Sequence, residues 1–522
     1  MPDQYGAAAD GVTDDTVAIQ NAVNAAKNAG GGVISLSPSG TYVFTRIILY
    51  PGITMELNGA TCKRPANQPN STRMFTSGDP AGGFPTYSGA QDSRPIRIRN
   101  GILDGNRANQ GAYQNYEQEQ SHLIFMYADA TQPGRLRVDL HNLVLRDVVA
   151  DGIALSTNVD AQISDIRAWD GFRGGVNVLG GHSVVEMTNI RTGGNVHATG
   201  IDIEVDQIGY GGSLAADITI DNVVLDGDLE VGMHLGPSHA AHPGGTFTAT
   251  NVQCRRAGWA IGGYNSRVRL SNSILTVGSP QESDITWPQD TVLDNVTFVL
   301  NPNTPSPNTP LTLGVRVRMK AGSHAANQQL VLRNCTWRAG PDVKASDTLI
   351  GLEYHEDVLS QNNEVVIDGG YIPPRFNVGL DMKYGGRAVV TGLRNHAALP
   401  IRWAGNEGGG GIDLTIRGMD VRGAPFYMVG GDAYGNNKRI EQSNVFLDET
   451  SAGYSFAVAH LANFVGGRTI EVASSPVGRL PGMRGDVAIL RDPVAGQVWR
   501  WVCTFSAPDA SAVWKAEAAL AA

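Results

Sequence analysis

The chain has 522 residues and a formal net charge of −10. Hydrophobic residues make up 42% of it, enough to bury a large core, so wholesale disorder is excluded. Only 17% of residues are charged while 64 are Gly, which calls for many tight turns and excludes a helical bundle; the acidic balance also argues against nucleic acid as a partner.

The first predicted element is a helix. Thr13 or Asp14 is placed to cap it by accepting a free backbone N–H, and Asp15 suits its first turn. Ile19, Val23 and Ala26 follow at helical spacing, and Gly30-Gly31-Gly32 stops the run. The pattern then switches to short strands at Val33, Ile34 and Leu36, and again at Tyr42, Val43 and Phe44. A covering helix followed only by strands, with Tyr5-Gly6-Ala7, Asp10 to Thr16 (DGVTDDT) and Gly40-Thr41-Tyr42, resembles the opening of the pectate-lyase-like right-handed parallel β-helix superfamily. The resemblance implies an all-β solenoid with an N-terminal capping α-helix. It leaves the chemistry open, because the superfamily includes phage tailspikes, polysaccharide lyases, glycosidases and epimerases.

Internal repetition predicts the same fold independently. A short apolar pattern with Asn or Asp at a turn recurs at Asn142, Asp165, Asn189, Asn222, Asn251, Asn272, Asn295 and Asn334. This reads as a coil of about 22–24 residues with loops of variable length inserted, each coil burying its apolar side only by stacking on the next. A second register follows Gly152, Gly175, Gly200, Gly232 and Gly258. Its inward set is Ile153/Leu155, Val176/Val178, Ile201/Ile203/Val205, Met233/Leu235 and Trp259/Ile261. The outward ladder is then Ala154, Asn177, Asp202, His234 and Ala260, and it extends to Thr286, Arg316, Glu353, Asp381 and Arg402. Such a polar row suits a chain-like ligand.

Two centres stand out on that row. Asp202, Glu204 and Asp206 share one strand face, with Asn177 and His234 flanking Asp202, Leu179 and Gly236 flanking Glu204, and Gly181 and Ser238 flanking Asp206. Like charges this close raise at least one pKa, which suits a general acid beside a general base, as glycoside hydrolysis requires. The expected catalytic residues are therefore Asp202, Glu204, Asp206 and His234. The second centre is Arg316, Arg318 and Lys320 with Glu353 and His355 on the next strand. It would neutralise a uronate carboxylate and remove the neighbouring proton in a lyase, or else be a surface paired across coils. Asn177, Tyr210 and Tyr264 complete the expected substrate-binding set. Asp151 and Asp170 precede Gly and read as turn residues. No metal is expected in catalysis, and a structural Ca²⁺ is the one ion considered; Cys62, Cys254, Cys335 and Cys503 read as separate buried thiols rather than a disulfide or zinc framework.

The expected organisation is a cap over 1–45, the β-helix with its groove over 46–435, and a small C-terminal β module over 436–522. Gly485-Asp486, Trp501-Val502-Cys503 and Trp514-Lys515 are similar to the modules that end many tailspikes, and the module would cap the last coil or hold a trimer. The opening MPDQYGAAADG lacks the features of a signal peptide, and no run is apolar enough to span a membrane. The resemblance therefore implies a homotrimeric spike on a phage tail, joined to other tail proteins and released by lysis. It would act outside the cell as a depolymerase of O-antigen or capsule. Glycosidase is the leading expectation, a lyase or epimerase the second, and a non-catalytic adhesin the third.

Overall fold

The computed structural model describes residues 1–519 apart from 70–71, 78–93, 112–119, 195–198, 214, 228–230, 237–244, 256–257, 263–265, 279–282, 287–289, 303–308, 320–327, 357–362, 384–385, 405–411, 423–427, 431–437, 444, 449–463, 466–467, 481–483, 496 and 506–511. The chain forms two compact units, Met1–Leu275 and Thr276–Ala522. Each is built from stacked parallel strands, and the all-β parallel β-helix is the architecture the chain adopts. Among the described residues no helix is long and apolar enough to cross a membrane.

The first unit opens differently in detail from expectation. Asp10–Asp14 is a strand, paired in parallel with Thr41–Val43. The helix is Thr16–Asn28 and buries Ala18, Ile19, Ala22 and Val23. Asp15 stands at its N-cap but turns its carboxylate away from it, accepting the N–H groups of Ala8 (2.6 Å) and Val43 (3.3 Å). A buried carboxylate needs such donors, and these two tie the helix to the first strands. The expected cap contact falls to Asp14, whose Oδ1 accepts the N–H of Thr16 at 2.9 Å.

The repeat explains the body of this unit. Strands Leu136–Arg146, Val159–Trp169, Ser183–Gly193, Ala216–Asp226 and Thr246–Arg255 stack in parallel and in register. Asn142, Asp165, Asn189, Asn222 and Asn251 sit mid-strand with φ between 51° and 58°. The left-handed residue shifts the alternation, so Leu140 and Leu143, three apart, both point inward; Ile163 and Ile166 repeat this on the next coil. Asn and Asp tolerate this conformation where other L-residues pay about 1–2 kcal/mol. The column is also bonded along the stack: the amides of Asn142, Asn189 and Asn222 donate to Asn100 (3.0 Å), Asp165 (3.0 Å) and Asn189 (2.6 Å). Asn222→Ala is expected to lower stability by about 1–2 kcal/mol. Asn222→Gly, free at this φ, should lose only the ladder bond, under about 1 kcal/mol. Chemical denaturation of the two variants side by side checks this; equal losses would mean the conformation is not the cost.

A second stack in the same unit runs Ile47–Ile48, Phe75–Thr76, Ile124–Met126, Ile153–Leu155, Val176–Gly180, Thr199–Gln207, Val231–Leu235 and Gly258–Gly262, all parallel. The expected inward set, from Ile153 to Ile261, is fully buried. This stack carries the candidate site.

In the second unit, Ser283–Thr286, Thr312–Met319, Thr348–Glu356, Val378–Lys383, Leu399–Ala404 and Met428–Gly430 stack in the same manner. Parallel pairing continues past residue 436, where the sequence pattern predicts the coils to end. Lys438–Ser443 pairs with Ile412–Arg417 residue for residue. Val445–Asp448, Arg468–Val472 and Val487–Leu490 follow in parallel, and only Val498–Phe505 and Val513–Ala519 turn antiparallel. All four cysteines are free and buried.

Candidate functional site

The outward ladder of the first unit is in the expected register: Ala154 pairs with Asn177, Asn177 with Asp202, Asp202 with His234, and His234 with Ala260. Its floor is apolar, since Ile201, Ile203, Met233 and Leu235 between the rungs are fully buried. On this floor His234 Nδ1 and Asp202 Oδ1 lie 2.8 Å apart. Asp202, Glu204 and His234 bring one polar atom each within 4.8 Å of one another. Asn177, 1% exposed, presents an amide whose oxygen and nitrogen both lack a hydrogen-bond partner. A buried amide in that state is a group waiting for a polar ligand.

The electrostatics divide the two carboxyls. Burial raises the pKa of Glu204, and the charge of Asp202 adds to this; His234 opposes, Asp206 reinforces and Arg173 opposes, leaving it at about 7. Burial lowers that of His234, but the hydrogen bond to Asp202 and the charges of Asp202 and Glu204 outweigh it, so the imidazole is held protonated to higher pH than usual. The arrangement thus offers a carboxyl that keeps its proton near neutrality, beside a second acid hydrogen-bonded to the imidazole. The same three side chains are compact enough to hold a divalent cation. A cation would first have to displace the proton of His234, which Asp202 makes harder to remove.

Asp206 departs from expectation. Val178 pairs with Ile203, but Gly180 then pairs with Gln207, so the site strand carries two extra residues. They are accommodated by a bulge at Val205, fully buried with φ of 44°. A β-branched residue there is strained by about 1–3 kcal/mol. The bulge takes Asp206 off its predicted rung with Gly181 and leaves it exposed. Asp206 therefore acts on Glu204 through its charge, from outside the pair.

The remaining expected residues are spread out. Tyr210 lies in the turn Tyr210–Gly212 beyond the site strand, 38% exposed, its N–H donated to Asn158 Oδ1 at 2.9 Å and its ring 5.8 Å from that of His182. Tyr264 and Lys320 lie outside the described residues, as does the side chain of His355, whose backbone pairs with Arg318. In the second unit, Arg316 pairs with Asp284 and not with Thr286, one dyad from the predicted frame; Thr286 pairs with Arg318. Arg318 bridges Asp284 at 2.8 Å, Arg316 lies 3.9 Å from both Asp284 and Glu353, and Arg402 bridges Asp381. Arg318 and Arg402 are thus bonded to acids across the coils, while the buried Nε of Arg316 has no hydrogen-bond partner.

Two site neighbours, His122 and Arg173, escaped the sequence reading, and a third, Asp151, was assigned a turn role. His122, Asp151 and Arg173 sit at the corner before the site strands, with Asp151 Oδ2 3.2 Å from His122 Nδ1 and 3.9 Å from an Arg173 nitrogen. The signal was a column: His122, Asp151, Gly174 and Thr199 each stand two residues before the first inward residue of their strand.

Residues 3–274, more than half of the chain, match the family described as rhamnogalacturonase A/epimerase, pectate lyase-like. The chain belongs to this family. The matched span contains the whole of the site just described. Over 48 residues the chain is also 44% identical to the capsule KN3-specific depolymerase 1 of Klebsiella phage KN3-1, a stretch covering 9% of this chain and 6% of that protein. Among solved structures it is similar to the A-module of the Azotobacter vinelandii mannuronan C-5 epimerase, with 15% identity, 84% of this chain and 99% of that one covered, and a TM-score of 0.37. Tailspike protein 3 of bacteriophage CBA120 aligns at 13% identity over 100% of this chain and 69% of its own, with a TM-score of 0.35. The family 28 exopolygalacturonase of Yersinia enterocolitica aligns at 13% over 90% and 77%, with a TM-score of 0.34.

Proposed function

We propose that the chain is a depolymerase that hydrolyses glycosidic bonds of a bacterial surface polysaccharide, with Glu204 as general acid and Asp202 as base or nucleophile. The observation that carries this reading is the split between the two carboxyls: Glu204 held protonated to about pH 7 next to an Asp202 bound to His234. Glu204 would protonate the leaving oxygen, Asp202 would meet the anomeric carbon or activate water, and His234 would hold Asp202 in orientation. The unpartnered amide of Asn177 is suited to a sugar hydroxyl one coil away. The short identity to a capsule depolymerase supports capsule over O-antigen as the substrate. Assembly as a homotrimeric spike on a phage tail, acting outside the cell, is the setting in which this activity would operate.

The close pairing of Arg318 with Asp284 favours hydrolysis over β-elimination, since a paired guanidinium is less available to a uronate. The test is incubation with purified capsules and O-antigens while following reducing ends and the ultraviolet absorbance of unsaturated uronates. Reducing ends alone are expected. Both signals together would mean a lyase, and neither, on a glycan that binds, an adhesin. Retention of the anomeric configuration in the first product would make Asp202 the nucleophile, and inversion would make it the base that activates water. Proton NMR of the nascent sugar reads this.

A further inference from the structure

Arg73 is a half-buried cation without an acid. It stands two residues before Phe75, one coil before His122 in the corner column. Its guanidinium carbon lies 3.7 Å from the centroid of the Phe125 ring, and one terminal nitrogen donates to Gln120 Oε1 at 3.1 Å. The Nε is sealed and has no hydrogen-bond partner, and among the described residues Arg73 makes no ion pair. Burial lowers its pKa; Tyr127 opposes this and the second cation Arg46 adds to it, leaving about 10, so the group is charged at neutral pH. A ring face offsets part of the cost of burying a guanidinium, but it brings neither a counter-charge nor a hydrogen-bond acceptor. Arg318 and Arg402, by contrast, are each bonded to an acid.

Phe125 places this cation on the outward ladder. It pairs with Thr76 on one side and Ala154 on the other, Ala154 pairs with Asn177, and Asn177 with Asp202. Phe125 is therefore three coils from Asp202, about 14 Å at the usual strand spacing. Its ring is 3% exposed, with His122 stacked at 5.4 Å and Tyr127 tilted at 5.1 Å. The ring is a fixed platform, and the half-buried guanidinium above it, rather than the ring, is the group a ligand on the ladder would meet there.

Resting on the reading of this ladder as a glycan groove, we propose that Arg73 on its Phe125 platform is a specificity-determining subsite that binds the carboxylate of an acidic sugar in the polysaccharide. The carboxylate supplies the counter-charge and the acceptors that the protein leaves out, and a planar guanidinium fork matches its two oxygens. Three coils from Asp202, it selects the glycan and sets its register without entering the proton transfers at Asp202 and Glu204.

The test uses the full chain and its Arg73→Gln and Arg73→Lys variants, with Tm measured for each. Oligosaccharide fragments of the glycan that the protein binds in the capsule and O-antigen panel are titrated calorimetrically, native and after reduction of their carboxyl groups to alcohols. The parent is expected to bind the native fragments about tenfold more tightly than the reduced ones, a preference that narrows as salt is raised. Arg73→Gln should bind both forms alike, and Arg73→Lys, which keeps the charge without the fork, should retain part of the preference. A bound glycan that contains no carboxylate overturns the proposal. So does a preference that Arg73→Gln leaves intact, or an equal loss of affinity for both forms, which marks a structural role. If Arg73→Gln does not fold, Arg73→Lys decides: a preference reduced severalfold supports the subsite, and a full one rejects it. If the parent binds no glycan at all, the glycan reading falls and takes the proposal with it; if a glycan is bound and cut with a preference independent of Arg73, only the proposal falls.

Discussion

Glu204→Gln is expected to lower kcat on the cognate polysaccharide by about 10²–10⁴-fold, the usual contribution of a general acid, while KM stays near its original value. The amide is isosteric and still hydrogen-bonds a sugar, but it carries no proton to donate. The native enzyme should lose activity as pH rises through about 7, because Glu204 gives up its proton there, and Glu204→Gln should show no such limb. The stability of the parent falls over the same range. The pKa of Glu204 is raised by folding, so its ionised form is disfavoured in the folded chain. That cost is absent in acid, below the pKa of the unfolded chain, and grows as pH rises towards 7. Thermal melts should therefore find Glu204→Gln more stable than the parent in mildly alkaline buffer, with the difference fading in acid. Normal turnover by the variant would remove Glu204 from catalysis. Lost turnover without the pH-dependent gain in stability would mean that its pKa is not raised.

Asp486→Ala is expected to destabilise the C-terminal strands by about 3–5 kcal/mol, the largest stability effect in the molecule. Arg468 and Asp486 are both fully buried, and the carboxylate takes the backbone N–H of Arg468 at 2.9 Å, its Nε at 3.1 Å and a terminal guanidinium nitrogen at 2.6 Å. The backbone oxygen of Asp486 in turn accepts the N–H of Cys503 at 2.9 Å, so this pair joins the last parallel strands to the antiparallel ones. Removing the carboxylate strips these bonds from a guanidinium that is fully buried. Replacing both partners, as in Arg468→Met with Asp486→Leu, removes the charge problem and should cost far less. Hydrogen exchange in Arg468–Val472 and Val498–Phe505 measures this: protection should fall by about a hundredfold or more in Asp486→Ala, since each 1.4 kcal/mol is tenfold. Equal loss in the double variant would mean that packing shape, and not charge, holds the strands.

How far the sequence reads can be followed through particular residues. The turn column was legible because each Asn or Asp is flanked by apolar residues in one pattern, and the structure gives all eight of them a positive φ. The rung Asn177–Asp202–His234 was legible for a related reason: a glycine two residues before each outward residue marks the strand start, and period-two alternation does the rest. Asp206 was misread because alternation assumes an unbroken strand, and nothing in GIDIEVDQ announces that a buried Val will take a left-handed conformation. The Arg316 rung slipped by one dyad because the strand Ser283–Thr286 has no preceding glycine to mark its start. Asp151 was seen but given a turn role, since Asp-Gly favours turns and its partners come from other coils. The parallel strands after 436 were hidden by long intervening segments that interrupt the period.

The bonded turn column has a consequence for how such a chain can vary by descent. The column is bonded at Asn142–Asn100, Asn189–Asp165 and Asn222–Asn189, Asn251 donates to the neighbouring Asp221, and the strands pair residue for residue, so the backbone stack repeats at the scale of one coil. A duplication or deletion that begins and ends at equivalent turn residues returns each surviving side chain to a neighbour of the same kind. Coils away from Asp202, Glu204 and His234 are therefore exchangeable parts, and the length of the outward ladder can change by recombination while these three residues are inherited together.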